Sequence, residues 1–75
     1  MHSATKLQRL LGDTFRTGRK EQGLSQESLA EAAGLSRNYY GSLERGEKMP
    51  SALTVIQIAG ALKLSGAELL ARAKV

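Results

Sequence analysis

The stretch of residues 25–46, SQESLAEAAGLSRNYYGSLERG, predicts two short helices joined by a tight turn. The first helix is expected over about Gln26–Ala33 and the second over about Arg37–Arg45, because apolar side chains recur there at helical spacing. Ser25 and Ser36 each stand one residue before a helical pattern, where a side-chain oxygen can accept a free backbone N–H. The stretch therefore contains the start signals of two consecutive helices.

Glycines provide the matching stop signals. Gly34 and Gly46 follow the two predicted helices, and glycine tolerates the left-handed conformation that ends a helix. The outer face of the second helix carries no aliphatic side chain and consists of Arg37, Asn38, Gly41, Ser42 and Arg45. Two helices crossing at such a turn, with a polar and partly basic second helix, are typical of a helix-turn-helix, which places that helix in a DNA major groove.

The longer stretch GLSQESLAEAAGLSRNYYGSLERGEKMPS resembles the helix-turn-helix of the XRE/Cro-like family of small bacterial and phage regulators. The matching letters are GLSQ, SLA, GLSR, LERG and the following PS, and the RNYYGSLERGEK run is most similar to the controller proteins of restriction–modification systems. The resemblance implies an all-α fold, a compact five-helix lambda-repressor-like DNA-binding domain. This single domain is expected over residues 1–75, with the helix-turn-helix at about 25–46.

Length and composition agree with such a domain. A chain of 75 residues suits one small domain. The core of so small a domain gives only marginal stability, and dimerisation is one common remedy. The absence of cysteine excludes a disulfide or a thiolate metal site. With no run approaching ~18 apolar residues and no signal-peptide core, we expect no membrane partner and a cytoplasmic location. The net charge of +4 suits a polyanionic partner, and it also suits ordinary solubility.

The chain before this stretch predicts one long helix, over Thr5 to Gln22, with Thr5 and Gln8 as a capping box. Its apolar face carries Leu7, Leu11, Phe15 and Gly18, and the Tyr40 ring is a candidate to fill the space that Gly18 leaves. Its other face carries Lys6, Arg9, Arg16 and Lys20, which either contact a phosphate backbone or form a solvated surface.

Two further helices are expected after Pro50. The fourth runs over about Ala52–Leu62, with Val55, Ile56, Ala59 and Leu62 as its core stripe. The fifth runs over about Gly66–Ala73, and Ser65 with Glu68 forms its capping box. Their apolar excess either closes a small core or forms a homodimer interface. For the second case the predicted interface residues are Leu53, Ile58, Leu69 and Leu70.

The predicted DNA contacts divide into two classes. Base edges are read by Arg37, Asn38, Tyr39 and Ser42, since arginine can bind guanine and asparagine adenine with two hydrogen bonds each. Phosphates are contacted by Gln26, Ser36, Arg45 and Lys48, of which Gln26 and the loop residues follow the use of these positions in the resembled family. The same resemblance implies a structural ion pair between Arg19 and Glu44.

These features predict a sequence-specific DNA-binding transcriptional regulator that acts as a homodimer on an inverted repeat of double-stranded DNA and controls its own expression, like a controller protein or a Cro-type repressor. An antitoxin that represses its own operon uses the same domain. The alternative from another class is a protein-interaction module. We expect no enzyme, because the only histidine is His2 and no nucleophile–base or carboxylate pair appears. We also expect no metal, cofactor or small-molecule effector.

Overall fold

The computed structural model describes residues 3–74, and His2 lies outside the described residues. This part of the chain is all-α and contains no strand, as predicted. Its five helices are α1 (Ala4–Glu21), α2 (Gln26–Ala33), α3 (Arg37–Glu44), α4 (Ala52–Ala61) and α5 (Gly66–Ala73).

A serine caps the N-terminus of every helix. The caps are Ser3, Ser25, Ser36, Ser51 and Ser65, and each side chain accepts the backbone N–H three residues later. The predicted capping box of α5 is confirmed, because Glu68 also accepts the Ser65 N–H at 2.9 Å.

The start of α1 differs from the prediction. Ser3 accepts the N–H of Lys6 at 3.1 Å, so Thr5 lies inside the helix and does not cap it. Gly34 and Gly46 both adopt the left-handed conformation, with φ of 75° and 73°. The glycine stop signals of α2 and α3 are therefore confirmed.

The core contains side chains from all five helices. Its α4 stripe is Val55, Ile58, Ala59 and Leu62, which follow the i, i+3, i+4, i+7 spacing of one helix face. Ile56 lies off this face and is 59% exposed, so its predicted place in the core is wrong. The largest fully buried side chains are Tyr40, Phe15, Leu29, Leu43, Ile58, Leu62, Leu69 and Glu44.

Two predicted dimer contacts are corrected by this packing. Ile58 and Leu69 are both 0% exposed inside the core of their own chain, so neither side chain can meet a partner. Leu53 and Leu70 remain exposed, at 65% and 37%.

The space beside Gly18 is filled by another residue than predicted. A Cβ atom at Gly18 would lie 3.1 Å from Leu62 Cδ1, and its three nearest neighbours all belong to Leu62. The hypothesis that the Tyr40 ring fills this space is therefore wrong. Leu62 packs there because it ends the buried stripe of α4.

Residues 3–74 contain neither a single membrane-spanning helix nor a cluster of metal ligands. No single helix there is long and apolar enough to cross a membrane, and α4 and α5 meet that test only as a pair, with a bend of 97° between them. No three His, Cys, Asp or Glu side chains in the same residues are grouped as metal ligands.

Candidate nucleic-acid interface

A polar groove runs along α3 beside the start of α2. It has a volume of about 220 Å³ and is lined by Gln26, Arg37, Asn38, Gly41 and Arg45. Arg37 and Asn38 are exposed in the first turn of α3, which Ser36 begins by accepting the Tyr39 N–H at 3.1 Å. The groove thus brings together two residues predicted to read bases and two predicted to contact phosphates.

Gly41 forms the floor of this groove. A Cβ atom there would lie 3.2 Å from Arg45 Nη1 and 3.7 Å from Gln26 Oε1. A side chain added at Gly41 would therefore require the flexible end of the Arg45 side chain to shift. Because glycine has no side chain, α3 leaves open space between Arg45 and Gln26 at this position.

Glu44 joins three helices beneath the groove. Its carboxylate is fully buried and accepts hydrogen bonds from Arg19 Nε at 2.6 Å, Arg19 Nη2 at 3.1 Å and Gln26 Nε2 at 3.0 Å. The Arg19–Glu44 ion pair implied by the resemblance is thus present as a two-pronged contact. Because α1, α2 and α3 each contribute one partner, the pair holds the helix-turn-helix against the first helix.

The charges of this pair stabilise each other. Burial alone would raise the pKa of the Glu44 carboxyl, but the hydrogen bonds from Arg19 and Gln26 outweigh it and hold the pKa below its usual range. The hydrogen bond to Glu44 in turn raises the pKa of Arg19, whose Nη1 also donates to Leu24 O at 2.9 Å. Both groups therefore stay charged at neutral pH.

Gln26 uses one of its two amide N–H groups inside the fold. One N–H of its amide is given to Glu44, and a primary amide carries two. Its oxygen lies on the side of Gly41. The Glu44 bond thus sets the direction in which the remaining N–H points, at the N-terminus of α2.

Arg45 has an acidic partner on the surface. Its Nε and Nη2 donate to Glu47 Oε2 and Oε1 at 2.9 and 3.1 Å, and both side chains are about half exposed. The hydrogen bond from Arg45 lowers the pKa of Glu47. An exposed pair of this kind is weak, so it contributes little to the stability of the fold.

Lys48 lies against the aromatic ring of Tyr39. Its Nζ is 5.7 Å from the ring centroid, within the range of a cation–π contact. The Tyr39 ring is half-buried and packs on the core. The contact therefore links the loop after α3 to the first turns of α3.

Ser42 is not presented to a ligand. The residue is 5% exposed, and its hydroxyl donates to the Tyr39 carbonyl oxygen at 2.6 Å. The prediction that Ser42 reads a base is corrected, because its one O–H is used inside the helix. Asn38, one turn earlier, is exposed. On this side of α3 the first turn is therefore accessible and the second is buried.

Sequence reasoning missed the role of Arg16. The residue was assigned to an outer basic face, yet its Nη2 donates to the Glu44 carbonyl oxygen at 3.0 Å, at the end of α3. A signal was present in the sequence, since Gly12 lies four residues earlier on the same face of α1 and leaves room for a close neighbour.

Comparisons with known proteins identify the family of this chain. The sequence profile of the helix-turn-helix family matches residues 15–69. The chain is 40% identical over 63 residues to the HTH-type transcriptional regulator y4dJ of Sinorhizobium fredii, covering 84% of this chain and 82% of y4dJ. It is 42% identical over 66 residues to the control protein C.SmaI of Serratia marcescens, covering 88% and 79%.

A solved structure shows the same fold. The restriction–modification controller protein C.AhdI of Aeromonas hydrophila superposes with a TM-score of 0.80 at 39% sequence identity, over 83% of this chain and 94% of C.AhdI. The clp gene regulator ClgR of C. glutamicum superposes with a TM-score of 0.84 at 35% identity, over 91% and 88%. The chain therefore belongs to the XRE-type helix-turn-helix family of transcriptional regulators.

Proposed function

We propose that this protein reads a specific DNA sequence as a homodimer on an inverted repeat. The observation that carries the proposal is the groove, where Arg37 and Asn38 stand exposed at the start of α3 beside Gln26 at the start of α2. A positive charge at a helix N-terminus opposes the helix dipole, and no acidic residue lies in the first turn of α3 to offset it. Arg37 is thus unfavourable for the isolated helix and well placed for guanine.

Four polar side chains around α3 are the proposed phosphate contacts. Gln26 has a free amide N–H, and the Ser36 hydroxyl accepts the Tyr39 N–H while its own O–H remains available. Arg45 and Lys48 add positive charge at the other end of α3. Such contacts position a protein on the duplex while base contacts give specificity.

The proposed dimer forms through the outer faces of α4 and α5. Leu53 and Ile56 are three residues apart on α4 and remain exposed, and Leu70 is exposed on α5. Exposed apolar side chains on one surface mark an interaction site, and a single helix-turn-helix reads only half of a symmetric operator.

Sedimentation equilibrium tests the dimer. Leu53→Gln with Ile56→Gln is expected to convert a dimer into a folded monomer, because both side chains are exposed and contribute little to the core of one chain. The matched control is Met49→Gln, which changes another exposed apolar side chain, outside α4 and α5. A wild-type monomer at all concentrations would contradict the proposed interface.

The similarity to C.SmaI and C.AhdI supports a controller type of role. In the proposed mechanism the protein binds its own operator, and occupancy rises steeply with protein concentration because dimerisation precedes binding. A reporter driven by the upstream region of the gene tests this. Its output should change with the amount of protein supplied from a second promoter, and an unchanged output would contradict autoregulation.

The two contact classes are separated by two substitutions. Arg37→Ala should cost about 1–3 kcal/mol on the operator and relax preference at one base pair. Lys48→Ala should weaken binding to operator and random DNA alike. It should also reduce the slope of log affinity against log salt concentration by about one, the value of one phosphate contact.

Lys63→Asn is the control, because it removes the same charge from the turn after α4, outside α3 and the loop that follows it. Equal losses on both DNAs for Arg37→Ala would reassign Arg37 to phosphate contact. A change of base preference for Lys48→Ala would contradict its assignment to phosphate.

A further inference from the structure

α1 and the C-terminal end of α3 are in backbone contact at Gly12. A Cβ atom at Gly12 would lie 2.5 Å from the Leu43 carbonyl oxygen and 2.7 Å from that of Glu44. Both neighbours are backbone atoms, which cannot rotate away as a flexible side chain can. Any residue larger than glycine must therefore displace α3 from α1.

Arg16 holds the same end of α3 one turn later. Its Nη2 donates to Glu44 O at 3.0 Å, and its Nε lies 3.7 Å from Glu44 Oε1. The last carbonyl groups of a helix lack partners inside it, and a cation there complements the helix dipole. The last turn of α3 contains no basic residue, and Arg16 of α1 brings a cation to its carbonyl end beside the capping residue Arg45.

The loop after α3 rests on the same face of α1. A Cβ atom at Gly46 would lie 3.2 Å from the Cα atom of Arg9. In the amide orientation that satisfies both of its ends, Gln8 accepts the Met49 N–H at 3.0 Å. We define Gln8, Arg9, Gly12 and Arg16 as the α1 seat, since together they contact the end of α3 and the loop that carries Lys48.

We propose that the α1 seat sets the orientation of α3, and that Gly12 and Arg16 are positioning residues for DNA sequence discrimination. The inference rests on the proposed function. Because α3 has only 8 residues and spans about 12 Å at ~1.5 Å per residue, a displacement at its C-terminus is carried to Arg37 and Asn38.

Base reading is more sensitive to such a displacement than phosphate binding. A bidentate contact to a base edge needs both hydrogen bonds at roughly 2.7–3.2 Å, so a shift of about 1 Å breaks it. Long flexible side chains such as Lys48 can follow a phosphate through the same shift. A displacement of α3 relative to the α1 seat therefore lowers the affinity for the specific duplex much more than the affinity for random DNA.

The test compares Gly12→Ala with Gly60→Ala. Both add one methyl group to a glycine in a helix, but Gly60 has nothing within 4 Å. Affinity is measured for the duplex that the wild type selects and for a random duplex of equal length. We expect Gly12→Ala to lose about ten- to a hundredfold on the selected duplex, the value of a bidentate base contact, and about twofold or less on the random one. Gly60→Ala should match the wild type on both.

A second pair of variants covers the case in which Gly12→Ala does not fold. Arg16→Ala should lower the specificity ratio in the same direction, and Arg16→Lys should restore part of it by returning a cation to the end of α3. Amide NMR spectra of the free variants give a readout without DNA. The Arg37 and Asn38 signals should move in Gly12→Ala or Arg16→Ala and stay in place in Gly60→Ala.

The outcomes separate this inference from the proposed function. If the wild type discriminates and the seat variants discriminate equally well, or lose affinity for both duplexes alike, the seat does not set specificity. If the wild type itself shows no preference, the proposed function fails and the specificity part of the inference fails with it. Unmoved Arg37 and Asn38 signals would overturn the coupling between the seat and α3 in either case.

Discussion

Replacing Glu44 by glutamine should destabilise this protein strongly, although the substitution hardly changes the size of the side chain. The two side chains have the same shape, but glutamine carries no charge and turns one carboxylate oxygen into an N–H₂ donor. The Glu44 carboxylate is fully buried and receives three hydrogen bonds, two of them from Arg19, whose side chain is only 12% exposed. Removing one partner of a buried pair leaves the other charge uncompensated, which costs ~3–5 kcal/mol.

The chain offers a matched control for this substitution. Glu47 pairs with Arg45 through the same two-pronged geometry, at 2.9 and 3.1 Å, but the two side chains are 55% and 54% exposed. Solvent screens such a pair, so Glu47→Gln should leave the urea midpoint close to that of the wild type. Glu44→Gln should lower it by several molar, since a small domain loses about 1 kcal/mol per molar urea.

The loss of stability caused by Glu44→Gln should also depend on pH. The pKa of Glu44 is held below its usual value of 4.5 in the folded state, so its stabilisation is fully present above about pH 4.5 and is lost as the pH falls through the folded pKa. The difference in unfolding free energy between the wild type and Glu44→Gln should therefore narrow in acid. Equal destabilisation by Glu44→Gln and Glu47→Gln, or a difference that stays constant from pH 7 to strong acid, would refute the reasoning.

Three further substitutions test local features of the fold by thermal unfolding. Gly60→Ala should stabilise the protein by roughly 0.5–1 kcal/mol, because alanine is the better helix former and a Cβ atom there meets nothing within 4 Å; a lower melting temperature would contradict the open site. Tyr40→Phe should leave stability unchanged or raise it by up to ~1 kcal/mol, since the buried Tyr40 hydroxyl has no hydrogen-bond partner among residues 3–74; a clear loss of stability would contradict this and would show that the hydroxyl bonds to Glu44. Lys63→Gly should raise stability by about 0.5–1 kcal/mol, because Lys63 has a φ of 61° that glycine adopts without strain, and an unchanged or lower melting temperature would argue against that conformation.

Local signals predicted the helix-turn-helix well. Ser25 and Ser36 mark helix starts, and Gly34 and Gly46 mark helix ends, because capping depends on residues adjacent in the chain. The resemblance added the Arg19–Glu44 pair, which no local pattern indicates.

Features that depend on tertiary packing were harder to predict. α4 is apolar on several faces, so its periodicity did not show whether Ile56 or Ile58 enters the core. Leu69 and Leu70 are adjacent, and only the packing of α5 on α1 and α4 buries the first and exposes the second. Arg16 turns onto α3 because Gly12 allows a close approach between helices that are distant in sequence.

Selection of bound duplexes from a randomised DNA pool tests the central claim most directly. The wild type is compared with a double variant carrying Arg37→Ala and Asn38→Ala, at moderate salt so that phosphate attraction alone does not retain DNA. The account predicts an enriched inverted repeat with half-sites about one helical turn apart, and no enrichment by the double variant. Absence of enrichment by the wild type, with equally weak binding by both proteins, would contradict specific DNA reading and would favour a domain that binds another protein.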